Sequence, residues 1–302
     1  MTSFTNMTRA LALLVGLAVA ALASAQGATP AAGPAKSATA KAAPAKKAAP
    51  PPFKLILEPR AMDLLKALGA KLAAAKSMAF TAVVGYEYPS KLGPPIVYTT
   101  RYDVTMQRPD RLRILIPGDG PASEFYYDGK TMVAYDPAAN LAAVSDAPPT
   151  VDDALKKAYD TAAIYFPFMD LLMSDPYAAL TDGAILAYFV GPSGVVGGVK
   201  TDMVVWANKD VHLQIWIGAD DKLPRRIRAM FAADPLQLRH ELELSNWQLD
   251  ATVPPETFVS AKAQAAGRMA FAAPAGPPPG VKPILKTKPA QSKATSTAPK
   301  AN

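Results

Sequence analysis

The chain of 302 residues contains no cysteine and only two histidines. Without cysteine there can be no disulfide bond, no thiolate metal site, no catalytic thiol and no lipid-modified cysteine. With only His212 and His240, neither a polyhistidine metal site nor a triad of serine, histidine and aspartate is easily assembled. We therefore expect no metal ion, no cofactor and no enzymatic activity.

Acidic residues are absent from both ends of the chain. Residues 1–52 carry five basic side chains and residues 260–302 carry seven, and neither range contains an aspartate or a glutamate. Residues 53–259 therefore hold all 25 acidic residues against 20 basic ones, so the net charge of +7 arises from the ends. Because no basic face is expected on the folded part, nucleic acid is not an expected partner.

The first 25 residues have the three parts of a secretory signal peptide. Arg9 supplies the positive charge, residues 10–23 form an apolar run that is short for a membrane span, and residues 23–25 are small. We expect cleavage before Gln26 and export of a soluble protein to the periplasm. An uncleaved membrane anchor is the alternative interpretation.

Two low-complexity arms flank the remaining sequence. Residues 26–52 and 268–302 consist largely of alanine, proline and lysine, with few large apolar side chains. Such segments cannot bury enough apolar surface to offset the loss of chain entropy, so we expect both arms to be disordered. They suit a solubilising spacer or an electrostatic tether to an anionic envelope surface. The folded domain is expected at residues 53–267.

Hydrophobic periodicity predicts the elements of the folded domain. Leucine and alanine recur at 3.6-residue spacing after Pro59, which indicates an amphipathic helix extending to about residue 76. Apolar and polar residues then alternate with period two in nine stretches, which indicates nine strands. They cover 78–88, 96–106, 111–116, 125–135, 184–190, 201–206, 211–217, 225–231 and 236–244.

Local signals place a turn and a helical insertion among these strands. Asp128 and Gly129 form a dipeptide that is typical of a hairpin turn. Thr150, with Asp153 three residues later, resembles a helix cap, and residues 151–175 predict two helical pieces broken near Pro167. The fold class is therefore α+β, with a long, curved antiparallel sheet packed against helices.

The side chains predicted to point inward include many that are aromatic or flexible. Methionine and aromatic residues suit the wall of a cavity that accepts varied apolar shapes, but they equally suit a filled core. The candidates on the strands are Tyr86, Tyr98, Tyr102, Met106, Phe125, Tyr127 and Met203. His240 lies on the apolar face of its strand. It could contact a polar headgroup, titrate as a switch, or simply be hydrogen-bonded to a neighbour.

Four motifs give the sequence its resemblance to a known family. They are VTMQRP at 104–109, LRI at 112–114, YDGKTMVAYDP at 127–137 and PFMDLL at 167–172. In this order they resemble the periplasmic carrier of the lipoprotein-localisation pathway and its relatives. Over residues 58–260 the chain is similar to a family of predicted periplasmic proteins of unknown function in that superfamily.

The resemblance implies a half-open barrel whose apolar concave side is covered by helices, with acyl chains sheltered between them. In the carrier, an arginine before a proline bonds to backbone carbonyls of a covering helix and holds this lid shut. Arg108 occupies the matching position, and residues 151–175 would form the lid. Phe168 lies in the part that matches the carrier's Pro-Phe-Met, so it joins the candidate ligand-binding residues. A plain salt bridge at the end of a strand is the alternative for Arg108.

Three functions remain compatible with the sequence. The first is a monomeric, non-enzymatic carrier or chaperone that binds a lipid, an acyl chain or a lipidated protein in an apolar concavity. The second is a sensor or scaffold that binds a protein partner, as regulatory relatives of the carrier do. The third is a hydrolase, for which no pair of nucleophile and base can be assembled.

Overall fold

The computed structural model describes residues 55–91, 93–118 and 120–273. The first half of this region contains a helix and six strands. They are α1 (Pro59–Ala74), β1 (Ser77–Ser90), β2 (Gly93–Gln107), β3 (Arg111–Ile116), β4 (Ser123–Tyr127), β5 (Thr131–Asp136) and β6 (Leu141–Asp146). The predicted signal peptide, the arm at 26–52 and residues 274–302 of the second arm lie outside the described residues.

The second half begins with a helical insertion and returns to strands. Its helices are α2 (Val151–Ala162), α3 (Met169–Leu172), α4 (Pro176–Thr181) and α5 (Ala261–Ala265), with short 3₁₀ turns at Val196–Gly198 and Pro255–Phe258. Its strands are β7 (Leu186–Ser193), β8 (Thr201–Ala207), β9 (Val211–Gly218), β10 (Pro224–Phe231), β11 (Arg239–Leu249) and β12 (Gly267–Met269).

The strands form one twelve-stranded sheet, in the order β12-β6-β5-β4-β3-β2-β1-β11-β10-β9-β8-β7. All neighbouring strands are antiparallel except β12, which runs parallel to β6. The chain builds one meander from β1 to β6, crosses through α2, α3 and α4, and builds a second meander from β7 to β11. Antiparallel pairing of β1 with β11 joins the two meanders into an open, curved sheet. The predicted α+β fold class is confirmed.

The hydrophobic core lies between the concave face of this sheet and the helices. The predicted stripe of α1 is buried there, with Ala61, Leu65, Leu68 and Leu72 almost inaccessible to solvent. α1 packs against β7 and β8, and it also contacts α4. The stripe forms because residues three and four apart share one face of a helix. α1 therefore covers the second meander.

Chain segments near both termini of the described fold cover the edges of the sheet. At the β7 edge, the Ala187 amide donates to the Ile56 carbonyl at 2.8 Å, and the Glu58 amide donates to the Ala187 carbonyl at 2.8 Å. At the opposite edge, β12 pairs with β6. Covered edges cannot pair readily with strands of other molecules, so the sheet is protected from association through its edges.

The predicted end of the folded domain, at residue 267, lies too early in the sequence. Arg268 and Met269 belong to β12, Phe271 packs against the core, and the Ala273 amide donates to the Thr161 carbonyl at 2.9 Å. β12 was not predicted from the sequence, because a strand of three residues is too short to show a periodicity. Its pairing with β6 sets its conformation. The fold therefore extends to at least residue 273.

Other elements differ from the prediction in detail. β6 was not predicted, and the stretch 125–135 forms two strands separated by the expected turn, with Gly129 at a φ of 89°. The insertion has three helices rather than two, because Asp175 caps a further helix by accepting from the Ala178 amide at 3.0 Å. β11 begins at Arg239 and not at residue 236.

Candidate functional site

The register of the central strands places most candidate residues on the concave face. Tyr86 lies directly opposite Tyr98 on β2 and opposite His240 on β11. Residues directly opposite each other in a sheet project on the same side. The same face carries Val84 and Leu242, which belong to the core. Tyr86, Tyr98 and His240 therefore share the concave face with the core.

The part of this face beneath the helices is filled by side chains. Phe168 of the insertion contacts Phe80 edge-on at 5.5 Å between ring centroids and Tyr102 at 5.3 Å, and Phe80 stacks on Trp247 at 4.4 Å. The candidates Met106, Phe125, Tyr127 and Phe168 are all buried here. In this closed arrangement they are core residues, and a ligand can reach them only if the covering helices move.

The part of the concave face beyond the helices is open and aromatic. Tyr86, Tyr88 and Tyr98 are 37%, 40% and 48% exposed. The Tyr98 ring lies 5.9 Å from Tyr86 and 6.0 Å from Tyr88, and His240 stacks on Tyr86 at 6.4 Å. Phe231 meets His240 edge-on at 5.2 Å. We call these five residues the aromatic strip.

His240 is the polar member of the aromatic strip. Burial lowers its pKa below the ordinary value, while Asp234 and Glu87 act in the opposite direction. The imidazole is therefore neutral at pH 7, because desolvation disfavours the charged form. A neutral ring between Tyr86 and Phe231 adds to the apolar surface instead of interrupting it.

Met203 was predicted to face inward, and this prediction is wrong. Met203 pairs with Trp216, whereas its neighbour Val204 pairs with Ile215, which is buried in the core. Alternation then places Met203 on the convex face. The prediction failed because β8 carries apolar residues on both faces, so its pattern does not show which face is buried.

Arg108, at the end of β2, is bonded to the covering helices. Its Nη1 donates to the Leu172 carbonyl at 3.2 Å, and its Nη2 donates to the Met173 carbonyl at 2.8 Å. These carbonyls end α3 and have no partner within a four-residue helix. Arg108 forms no ion pair with any residue in the described ranges, so the alternative of a strand-end salt bridge is not what the structure contains.

A second contact holds the end of α3 from the side of α2. The Asp152 carboxylate accepts from the Ser174 amide at 3.0 Å and from the Ser174 hydroxyl at 2.7 Å. Burial lowers the pKa of Arg108, and the negative charge of Asp152 partly opposes that effect. Arg108, at the end of β2, and Asp152, on α2, thus both form hydrogen bonds to the same short stretch, Leu172 to Ser174. We call the pair of hydrogen bonds from Arg108 the arginine clamp.

Several residues around the concave face were not identified from the sequence. Tyr159 and Tyr165 lie 6.3 Å apart between ring centroids and are 55% and 57% exposed. Asp170, in the first turn of α3, lies near Tyr165. Tyr159 lies on the exposed side of α2 and Tyr165 in the irregular segment that follows it, so hydrophobic periodicity identified neither of them.

Neither a metal centre nor a membrane span is found in the described part of the chain. Within it, no group of three or more histidine, aspartate or glutamate side chains could hold a metal ion. None of its helices has the length and hydrophobicity that crossing a membrane requires.

Three solved structures are similar to this chain at low sequence identity. Lipoprotein LppX of Mycobacterium tuberculosis is 13% identical, with a TM-score of 0.41 over 66% of this chain and 99% of that chain. A LolA superfamily protein from Nitrosomonas europaea is 10% identical, with a TM-score of 0.32 over 66% and 97%. A chain of the Pseudomonas aeruginosa MucA/MucB complex is 15% identical, with a TM-score of 0.39 over 68% and 62%.

The comparison with protein families gives a more specific result. No curated protein matches the sequence significantly. Residues 61–272 match the family described as "Predicted periplasmic protein (DUF2092)", which confirms the resemblance predicted over residues 58–260. This match spans more than two thirds of the chain, and the protein therefore belongs to the DUF2092 family of predicted periplasmic proteins.

Proposed function

We propose that this protein is a soluble, monomeric periplasmic carrier or chaperone without enzymatic activity. Its ligand is a lipid, an acyl chain or a lipidated protein, held against the concave face by apolar contact alone. The observation that carries the proposal is the arginine clamp. A short helix closes an aromatic interior and is bonded to the sheet through one side chain, Arg108.

The two parts of the concave face suit the stages of ligand entry. The aromatic strip offers an accessible apolar surface, on which a chain can first bind. Tyr102 connects it with the interior, because Tyr102 contacts Phe166 and Phe168 and lies near Tyr86. When α3 moves, Phe168 leaves the interior and an acyl chain takes its place. Each methylene group that leaves water contributes about 0.8 kcal/mol.

Export through a cleaved signal peptide belongs to the same proposal. The family is described as periplasmic, and residues 1–25 have the composition of a signal peptide. The mature protein would begin at Gln26. Its lysine-rich ends would bring the carrier close to anionic envelope surfaces.

A sensor or scaffold that binds a protein partner is the second candidate. The aromatic strip favours it, because tyrosine and phenylalanine are enriched at protein interfaces. Purification without detergent separates the two candidates. Lipid in an organic extract, identified by mass spectrometry, supports the carrier, whereas a stoichiometric protein partner without lipid supports the scaffold.

The variant Arg108→Leu tests the arginine clamp. Hydrogen bonds from a charged group contribute about 1.5 to 3 kcal/mol, so their loss shifts the population of the open state by roughly 10- to 100-fold. An apolar, environment-sensitive dye should therefore bind Arg108→Leu more readily than the native protein when no ligand is present.

Arg101→Leu is the matched control, because it removes the same charge from an exposed pair with Asp103. Exposed pairs of this kind contribute little to stability. If both variants remain folded and bind the dye equally, Arg108 does not control access to the concave face.

A further inference from the structure

Besides its two covered outer edges, the sheet has an open edge in its middle. β2 pairs with β1 in a regular register as far as Ile96 opposite Tyr88. On its other side, β2 pairs with β3 only from Asp103 to Gln107. Pro117 directly follows β3 and carries no N–H group, so it cannot extend the ladder by donating to β2. Within the described residues, the part of β2 before Asp103 therefore has a strand on one side only.

A backbone hydrogen bond shows which groups of β2 point to the open side. The Arg108 amide donates to the Lys76 carbonyl at 2.8 Å, and these two residues continue the register of β2 and β1. Bonded pairs alternate with non-bonded pairs along an antiparallel ladder, so the even-numbered residues of β2 bond to β1. Val97, Thr99 and Arg101 therefore direct their backbone N–H and C=O groups away from β1, toward the open side.

We call residues 96–101 of β2 the open edge. No other residue that the structure describes forms a hydrogen bond with its outward backbone groups. Most of its side chains are exposed as well, with Val97 at 63% and Tyr98 at 48%. Proteins usually protect such an edge with a charge, a proline or a bulge. Pro95 precedes the open edge and Arg101 ends it, but the residues between them contain none of these devices.

The open edge borders the aromatic strip. Tyr98 belongs to both, and its ring lies 5.9 Å from Tyr86 and 6.0 Å from Tyr88. Neighbouring strands lie about 4.8 Å apart, so a strand added beside β2 would place alternate side chains next to Tyr98. Its other side chains would lie beside Val97 and Thr99 on the convex face. A molecule that occupies the open edge therefore also contacts the aromatic strip.

We propose that the open edge binds an extended segment of a protein partner, which joins the sheet as an additional strand beside β2. Backbone N–H and C=O groups at strand spacing are complementary to another extended polypeptide, and their pairing supplies affinity. The side chains from residue 96 to residue 100 are aromatic or β-branched, and none is charged. Such side chains pair well with each other across strands, so the segment should be rich in valine, isoleucine and threonine.

This site goes beyond the proposed function and does not depend on it. A carrier exchanges its ligand with other proteins, and a strand added at the open edge would hold one of them beside the aromatic strip. The strand would pair through its backbone and leave the helical cover free to move.

Two other occupants fit the open edge less well. A lipid bilayer would leave the outward backbone groups without partners in hydrocarbon, which is unfavourable. Pairing with the open edge of a second copy would bury only six residues from each chain, well below the about 1,200 Å² of a stable interface. A partner segment meets both conditions, because it pairs with the backbone and belongs to a protein that can add contacts elsewhere.

The experiment uses a fluorescent eight-residue peptide of alternating valine and threonine, with two lysines at one end for solubility. Its matched control has the same side chains but carries methyl groups on the two central backbone nitrogens, one on each edge, so that neither edge can pair along its length. Fluorescence anisotropy with a chain of residues 26–302 measures both affinities. Because several backbone hydrogen bonds are lost together, the methylated peptide should bind at least about 10-fold more weakly.

Thr99→Pro tests the open edge without altering the pairing with β1. Its N–H group points outward, so proline removes an outward donor and obstructs an added strand, while no hydrogen bond to β1 is lost. Peptide affinity should fall by at least about 10-fold at an almost unchanged thermal midpoint. Thr99→Val, which keeps the N–H group and the β-branched shape, is the matched control and should bind like the native protein. Thr100→Pro removes a bond to β1 and should lower the midpoint.

The outcomes separate this inference from the proposed function. Equal affinity of the two peptides, equal affinity of Thr99→Pro and Thr99→Val, or equal destabilisation by Thr99→Pro and Thr100→Pro overturns the inference. It is also overturned if the native protein sediments as a dimer and Thr99→Pro as a monomer, because a second copy then occupies the open edge. Binding of an apolar dye to the concave face, measured in parallel, tests the carrier function whether or not the peptide binds.

Discussion

At the scale of single residues, Asp170 gives a prediction for stability. Burial raises its pKa in the folded protein above the value of 3.8 for the free side chain. Asp170 therefore destabilises the fold increasingly as the pH rises from the unfolded-state pKa through the folded-state pKa. At pH 7 the neutral variant Asp170→Asn should unfold at a slightly higher temperature than the native protein.

The difference should vanish at about pH 3, where both states of the native protein are protonated at this position. Thermal unfolding of the two proteins at both pH values, followed by circular dichroism, measures the effect. A lower midpoint for Asp170→Asn at pH 7 would indicate that the carboxylate is paired in solution.

Whether the sequence predicted the direction of a side chain correctly depended on whether one face of its strand is exposed to solvent. On β2, Tyr102 lies between the polar residues Arg101 and Asp103, and Tyr98 lies between Val97 and Thr99. The structure places both tyrosines on the concave face, as predicted. Met203 lies on a strand that is apolar on both faces, so the alternation of apolar and polar residues did not indicate which way its side chain points. Tyr165 and Asp170 lie near the break between α2 and α3, where the sequence shows no hydrophobic periodicity.

At the scale of elements, the contact between α1 and α4 is tight enough to predict a variant. A Cβ atom added at Gly69 would lie 2.6 Å from the Tyr177 Cβ and 2.8 Å from the Tyr177 backbone nitrogen. The backbone of Tyr177 cannot rotate away from the added methyl group, so Gly69→Ala must separate α1 from α4. Overpacking costs about 1 to 3 kcal/mol or more, against a gain of about 1 kcal/mol in helix propensity.

We therefore expect Gly69→Ala to lower the free energy of unfolding by about 1 kcal/mol in urea denaturation. Lys71→Ala, on the exposed side of the same helix, should change it by less than about 0.5 kcal/mol. Unchanged stability of Gly69→Ala would mean that α4 can move away from α1 freely, and that the helical cover is looser than its contacts indicate.

Elements were predictable where a local signal specifies them. Thr150 caps α2 as expected, since its hydroxyl accepts from the Asp153 amide at 3.2 Å. The turn at Asp128 forms because its carboxylate accepts from the Thr131 amide at 2.8 Å. The small residues of β6 and the three residues of β12 carry no such signal. Those strands form because a neighbouring strand supplies their hydrogen bonds.

At the scale of the whole molecule, the end of the fold can be located by truncation. A chain of residues 53–273 should unfold at the same temperature as a chain of residues 26–302. A chain of residues 53–266 should unfold at a lower temperature, because it lacks the pairing of β12 and the packing of Phe271. Each kcal/mol lost corresponds to roughly 2 to 4 °C in a domain of this size.

The shorter chain should also associate with itself, because the edge of β6 is then uncovered. Calorimetry and analytical ultracentrifugation measure the two effects. Identical midpoints and a monomeric state for both chains would restore the predicted boundary at residue 267.

The pairing of β1 with β11 has a consequence for the order in which the molecule assembles. Its register runs from Met78 opposite Leu249 to Tyr86 opposite His240, so it joins segments that are far apart in the chain. Contacts of such long range form slowly, because a large loop must close before they contribute. Each meander can form from neighbouring hairpins, but the concave face becomes continuous only when β11 docks on β1. We therefore expect the concave face to be the last part of the protein to form, so that the ligand binding proposed for it requires a complete sheet.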